Sequence, residues 1–203
     1  MNHSYIDLHV TSQTLQKDRM HWSFTILSCN EWDGTIETEK IGHGSFYILH
    51  TNWVHPYETL HDIAAQESWS LFYALESVHI KGEPLKDKYN PLTTEIDGKI
   101  AFLETMFIVP SYRNKRIATE VLYALLHFFS QQTVDWVLLR PFPFEEDEKK
   151  SEDLKGRYWE FEEKLKQLQR FYERFGFIIT RGYDKGFENT PHMILKLSQD
   201  KET

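Results

Sequence analysis

The feature that most limits how this chain can fold is the succession of three segments between residues 100 and 140. Ile100 to Val109 is a nearly unbroken apolar run, interrupted only by Glu104 and Thr105, as expected of a central strand buried on both faces. Pro110 ends it, because proline has no N–H to continue a ladder. Ile117, Val121, Ala124, Leu125 and Phe128 then recur at helical steps, and Val134 to Arg140 is again short, β-branched and apolar. Strand, helix and strand in this order predict a βαβ unit.

The rest of the chain is read around that unit. Trp22, Phe24 and Ile26 alternate with polar residues, and Asp33-Gly34 is a turn signal before Gly44 to Leu49, so an antiparallel hairpin is expected. From Glu58 to Val78 the positions Leu60, Ile63, Ala64, Leu71, Leu75 and Val78 form one stripe, which predicts a helix lying on a sheet. Lys81 to Gly98 is dense in breakers and reads as a loop. Residues 145–156 are strongly charged and read as a solvated loop or helix start. Tyr158, Phe161, Leu165, Leu168, Tyr172 and Phe175 share one face of a further helix, closed by Gly176. Phe177 to Thr180 and Met193 to Leu197 are the remaining strand candidates.

Composition narrows the class. At 203 residues with 40% apolar side chains, one α/β domain spanning 1–203 is the expectation. A net charge of -8 repels phosphate backbones, which argues against nucleic acid and favours cationic substrates. One cysteine, Cys29, excludes an internal disulfide framework and fits a reducing compartment. No Cys/His spacing resembles a zinc site, so no metal is expected. The N-terminus lacks the basic and apolar regions of a signal peptide, and the longest greasy run, Leu122 to Phe129, is too short for a bilayer. A cytoplasmic protein without membrane contact is expected. Trp53, Tyr57 and Trp159 would suit a contact between two copies.

The chemistry is concentrated in Phe107 to Thr119, where a basic loop joins the buried strand to the amphipathic helix. A helix N-terminus presents free N–H groups and a partial positive charge, a natural seat for phosphate. Arg113, Lys115 and Arg116 add three cations in an acidic protein. From local physics two readings stand, a diphosphate cradle or solvated basic residues at a helix start.

This segment resembles the signature of the GNAT N-acetyltransferases, a strand running into Pro-x-Tyr-Arg and an Arg/Gln-x-x-Gly-x-Gly/Ala loop, here Arg113-Asn114-Lys115-Arg116-Ile117-Ala118. Arg116 stands where the family's first glycine is usual, and Ala118 fits the second. Leu168 to Phe177, with Tyr172-Glu173-Arg174-Phe175-Gly176-Phe177, resembles the late GNAT helix ending in Tyr-Glu-x-x-Gly-Phe. The resemblance implies a GNAT α/β fold, a mixed, mostly antiparallel sheet with helices on both faces, splayed where the strands ending near Val109 and Leu139 part. It implies acetyl-CoA as cosubstrate and direct attack of an amine on the thioester.

Mapped residue by residue, the resemblance puts pantetheine contacts on the backbone of Met106, Phe107 and Ile108. Diphosphate contacts fall on Asn114, Lys115, Arg116, Ile117, Ala118 and Thr119, with Arg113 just before them. Tyr172 matches the tyrosine that protonates the departing thiolate, while its place on an apolar stripe also fits a core tyrosine. Glu104 is the candidate base, expected on the face shared with Phe102 and Met106, with a structural hydrogen bond as the alternative. His43, between Gly42 and Gly44, fits an acceptor pocket or, more simply, a strand bulge. The acceptor implied is an amine, on a small molecule or at a protein N-terminus or lysine. A non-catalytic acyl-CoA-binding module is the other class in play. No dinucleotide glycine motif, phosphate loop or His-Glu-x-x-His occurs, and Gly42 to Phe46 lacks the closing glycine of a nucleophile elbow.

Overall fold

The computed structural model describes residues 3–16, 19–33, 35–51, 59–78, 80, 95–143, 158–180 and 191–197. The side chains of Trp53, Tyr57 and Trp159, most of the loop at 81–98 and the charged stretch at 145–156 lie outside the described residues.

Seven strands form one sheet: β1 (His3–Gln16), β2 (Arg19–Trp32), β3 (Thr35–His50), β4 (Lys99–Ile108), β5 (Trp136–Leu139), β6 (Ile178–Ile179) and β7 (Met193–Lys196). Their spatial order is β1-β2-β3-β4-β5-β7-β6. Every neighbouring pair is antiparallel except β4 with β5, which is parallel and joined through helix α3 (Ile117–Gln131), as the βαβ reading requires. The β4–β5 ladder ends at Leu103↔Leu139, whereas β4 continues to Ile108 paired only with β3. This is the mixed, splayed sheet that the GNAT motifs imply.

Apolar residues on the two faces of the sheet form two cores. Ala101, Leu103, Val137, Leu139 and Met193 face α3 and α4 (Tyr158–Glu173), packing with Val121, Leu125, Phe129 and Tyr172. Ile100, Phe102, Trp136, Leu138 and Ile194 face α1 (Leu60–Glu67) and α2 (Trp69–Glu76), packing with Leu60, Ala64, Leu71 and Leu75. The alternation of β4 and β5 between these cores is the period-2 pattern of strands covered on both sides.

Three elements depart from the sequence reading. Strand β1 was not anticipated, although Ile6, Leu8 and Val10 alternate with Asp7 and His9 and pack against the α3–α4 core. The single helix expected from Glu58 to Val78 is two helices. Thr59 caps the first in a reciprocal box with Asp62, and Ser68 adopts an extended conformation (φ -158°, ψ 128°) and caps the second through Leu71 N–H. The apolar stripe runs through the break, which is why periodicity did not show it. The strand expected over Phe177 to Thr180 is limited to Ile178–Ile179.

Candidate active site

The site is built where β4 outruns β5. A β-bulge lies between the pairs Ser45↔Thr105 and Phe46↔Leu103, so Glu104 is the extra residue on β4. Its carboxylate turns toward the α1–α2 side, where Oε1 accepts from Ser68 Oγ at 2.7 Å and Oε2 from Ser45 Oγ at 3.1 Å. Glu104 therefore shares a face with Phe102, as expected. Met106 does not, because the bulge shifts the alternation by one residue, and Met106 packs instead against the α3–α4 core. The Glu104 charge is felt by Tyr47, whose phenol is pushed up to about 12 first by burial, then by Glu104 and Glu67. The serines holding Glu104 had no signal in the sequence, since each is far from it along the chain and nothing local marks it as a partner.

Strand β3 approaches the free end of β4 closely because it carries glycines there. A Cβ on Gly42 would lie 2.3 Å from the Phe107 carbonyl oxygen, and one on Gly44 2.3 Å from that of Thr105. His43 between them is half-buried, its ring 5.3 Å from that of Phe107. Beyond the last β4–β5 pair, the β5-facing edge of residues 104–108 has no strand partner among the described residues, so strand-edge backbone groups there are left for a ligand.

The chain then turns through a short 3-10 segment, Pro110–Tyr112, into the basic loop. Asn114 and Arg116 both have left-handed backbone (φ 63° and 64°). Asparagine visits this region readily, whereas arginine does so at a cost. Arg116 thus takes the conformation for which glycine is usual, and its exposed side chain leaves the loop's shape intact. It is the residue before α3, and no side chain caps that helix. The first N–H groups of α3, at Ile117 and Ala118, have no preceding turn to bond, while Thr119 N–H bonds the Arg116 carbonyl at 2.9 Å.

The three cations are placed differently. Arg113 folds back, its Nε donating to the Ile108 carbonyl at 2.9 Å and its guanidinium lying 5.4 Å from the Phe107 ring centre. Lys115 is exposed, with Nζ 4.8 Å from the centre of the Tyr112 ring, and the Tyr112 hydroxyl in turn donates to Glu39 of β3. Only Lys115 and Arg116 therefore extend from the loop as exposed cations, and Arg113 fastens loop to strand.

Tyr172 sits in the α3–α4 core, 7% exposed, edge-on to Phe171 and Phe177. Burial pushes its phenol well above the ordinary value. Glu104 and Tyr172 thus lie on opposite faces of the sheet. Gly176 (φ 88°) closes the helix behind Tyr172, and Phe177 N–H bonds the Tyr172 carbonyl at 3.3 Å. Among the described residues no His, Cys, Asp or Glu cluster is placed to hold a metal ion, and no helix is long and apolar enough to cross a membrane.

No protein-family model matches the sequence, and no characterised protein matches it in sequence. The chain is similar to several solved structures. One is a GNAT-family acetyltransferase from Staphylococcus aureus Mu50, 11% identical, with 89% of this chain and 68% of that one covered and a TM-score of 0.38. Arabidopsis thaliana NAA60 in complex with acetyl-CoA is 14% identical over 86% of this chain and 76% of that one, with a TM-score of 0.44. AtaTR bound with AcCoA is 10% identical over 94% of each chain, with a TM-score of 0.37. No residue role is carried over from these structures.

Proposed function

We propose that this chain is a GNAT-type N-acetyltransferase that moves an acetyl group from acetyl-CoA to a primary amine. The observation that carries the reading is that the unpartnered edge of β4 runs through a glycine-shaped loop directly into the uncapped N-terminus of α3. Strand-edge donors suit the amide-bearing pantetheine arm, and a helix N-terminus suits the diphosphate. Met106, Phe107 and Ile108 would hold the first through backbone. Asn114 to Thr119 would hold the second, helped by Lys115 and Arg116.

In the reaction, the amine nitrogen bonds to the thioester carbonyl carbon, the carbon–sulfur bond breaks and the thiolate departs. Glu104, held by two serine hydroxyls, takes the proton that the amine loses. Tyr172, which burial keeps protonated, donates to the thiolate. Their placement on opposite faces of one sheet lets the amine approach from the α1–α2 side and the leaving group be met from the other. Arg113 is a positioning residue, tying the loop to the Ile108 carbonyl rather than meeting phosphate.

The test is thiol release from acetyl-CoA over a panel of primary amines, run beside thermal stabilisation by CoA. Stabilisation together with amine-dependent release is expected. Stabilisation with no release from any amine would reduce the protein to a CoA-binding module, and neither response would overturn the reading altogether.

A further inference from the structure

Immediately beyond the last β4–β5 pair, Leu103↔Leu139, come Glu104 on β4 and Arg140 after β5. In the antiparallel register Leu139↔Met193, the residue beside Arg140 is His192. Glu104 faces the α1–α2 side through its bond from Ser68, and continuing the alternation of Leu138 and Ile194, both in the α1–α2 core, one step past the strand ends puts Arg140 and His192 on the same face. Glu104, Arg140 and His192 thus each lie just past the last paired position of three neighbouring strands where the sheet splays, a juxtaposition of residues far apart in sequence.

His192 is the unusual member. It is only 4% exposed, and among the described residues neither ring nitrogen has a hydrogen-bond partner. A neutral imidazole has one donor and one acceptor, and a buried polar atom left unpaired costs roughly 1–3 kcal/mol. Burial, and after it the charge of Arg140, pushes the imidazole down to about 3, so the ring is neutral at physiological pH. The backbone beneath it is firmly held, the His192 carbonyl accepting from both the N–H and the hydroxyl of the buried Thr180 at 2.9 Å. An anchored, buried ring with both polar atoms unmatched among the described residues calls for a partner.

We propose that Glu104, Arg140 and His192 form an acceptor subsite for a small amine that also carries a carboxylate, an amino-acid-like zwitterion. Glu104 receives the amine, and the His192 N–H together with the positive charge of Arg140 receives the carboxylate. The Glu104 oxygens have about four lone-pair sites between them and the serines use two, so room remains for an ammonium. The guanidinium of Arg140 lies 5.2 Å from the centre of the Phe142 ring. A carboxylate on one side of the reacting centre and a cation with a neutral N–H on the other match a zwitterion in both signs.

This proposal rests on the acetyl-transfer reading, and the experiment separates the two. Matched pairs differing only in the carboxylate, phenylalanine with phenethylamine and lysine with cadaverine, are compared for thiol release and, independently, for binding to the CoA-saturated protein by calorimetry. The carboxylate-bearing member is expected to bind and react better by about tenfold or more, the worth of a charge-assisted hydrogen bond. His192→Met, which removes the unpaired polar atoms at similar bulk, collapses that ratio toward one while keeping the thermal midpoint. His192→Gln, which keeps a donor, retains part of it. Equal handling of the pairs by the wild-type protein, or a ratio unmoved by His192→Met, overturns the subsite. Binding preference without thiol release would uphold the subsite and overturn acetyl transfer.

Discussion

Replacing Arg116 by glycine tests the loop on which the site depends. Arg116 has φ 64° and ψ 1°, a left-handed conformation that costs an L-residue roughly 1–2 kcal/mol because Cβ crowds the following carbonyl. Glycine has no Cβ, but its unfolded chain is freer by about 0.5–1 kcal/mol. The difference leaves Arg116→Gly more stable by about 0.5–1 kcal/mol. For a chain of this size that is a rise of about 1–4 °C in the thermal midpoint. Arg116→Ala is the control, since it removes the same exposed side chain but keeps the backbone cost, and it should stay within about 0.5 kcal/mol of the wild-type protein. Differential scanning calorimetry on the three proteins measures the order. A glycine variant no more stable than the alanine one would show that Arg116 is not left-handed, and the explanation of how the loop keeps its shape without glycine would fail. Titration with CoA separates backbone from charge: equal weakening in both variants, with a shallower salt dependence, is expected if the Arg116 side chain also meets phosphate.

Three further outcomes follow from the same geometry. Tyr172→Phe keeps the ring packing against Phe171 and Phe177 and removes only the hydroxyl, so turnover should fall by about 10²-fold or more with CoA affinity nearly unchanged; parallel loss of both would reassign Tyr172 to the core. Gly44→Ala would drive a Cβ to 2.2 Å from Phe24 and 2.3 Å from the Thr105 carbonyl oxygen, a clash worth about 2–3 kcal/mol in urea unfolding, and a neutral result would mean that β3 and β4 are not so close. Folding lowers the His192 pKa from 6.5 to about 3, so the unfolded chain takes up the proton first as pH falls. The stability advantage of burying this ring neutral is complete above about pH 6.5 and is lost toward pH 3, by at most about 1.4 kcal/mol per pH unit. Wild type should therefore match His192→Met near neutral pH and fall progressively below it over that window, and a constant difference would refute the burial of His192.

The loop and the late helix were legible because each depends on local chemistry. A buried strand, a proline stop, clustered cations and a 3.6-residue stripe all lie within a few residues of one another, so Ile100 to Leu126 and Tyr158 to Gly176 announce their elements and their order without reference to the rest of the chain. The same reasoning merged α1 and α2, because the break at Ser68 rests on one backbone torsion that the apolar stripe does not register. It also passed over β1, an edge strand, although Ile6, Leu8 and Val10 alternate with polar residues there as cleanly as Trp22, Phe24 and Ile26 do in β2.

What the sequence by itself determined was the βαβ unit, the basic loop entering α3 and the tyrosine on the last long helix, since periodicity and turn chemistry are properties of neighbouring residues. Tertiary structure alone decided which face each β4 side chain takes, because the bulge at Glu104 exists only in the register with β3. It alone decided that Arg113 fastens the loop while Lys115 and Arg116 stay exposed, and that Ser45 and Ser68 converge on one carboxylate. It also set Arg140 and His192 just past the paired ends of β5 and β7, next along the sheet from the end of the β4–β5 ladder, since strand order and register decide that placement and no local pattern encodes it.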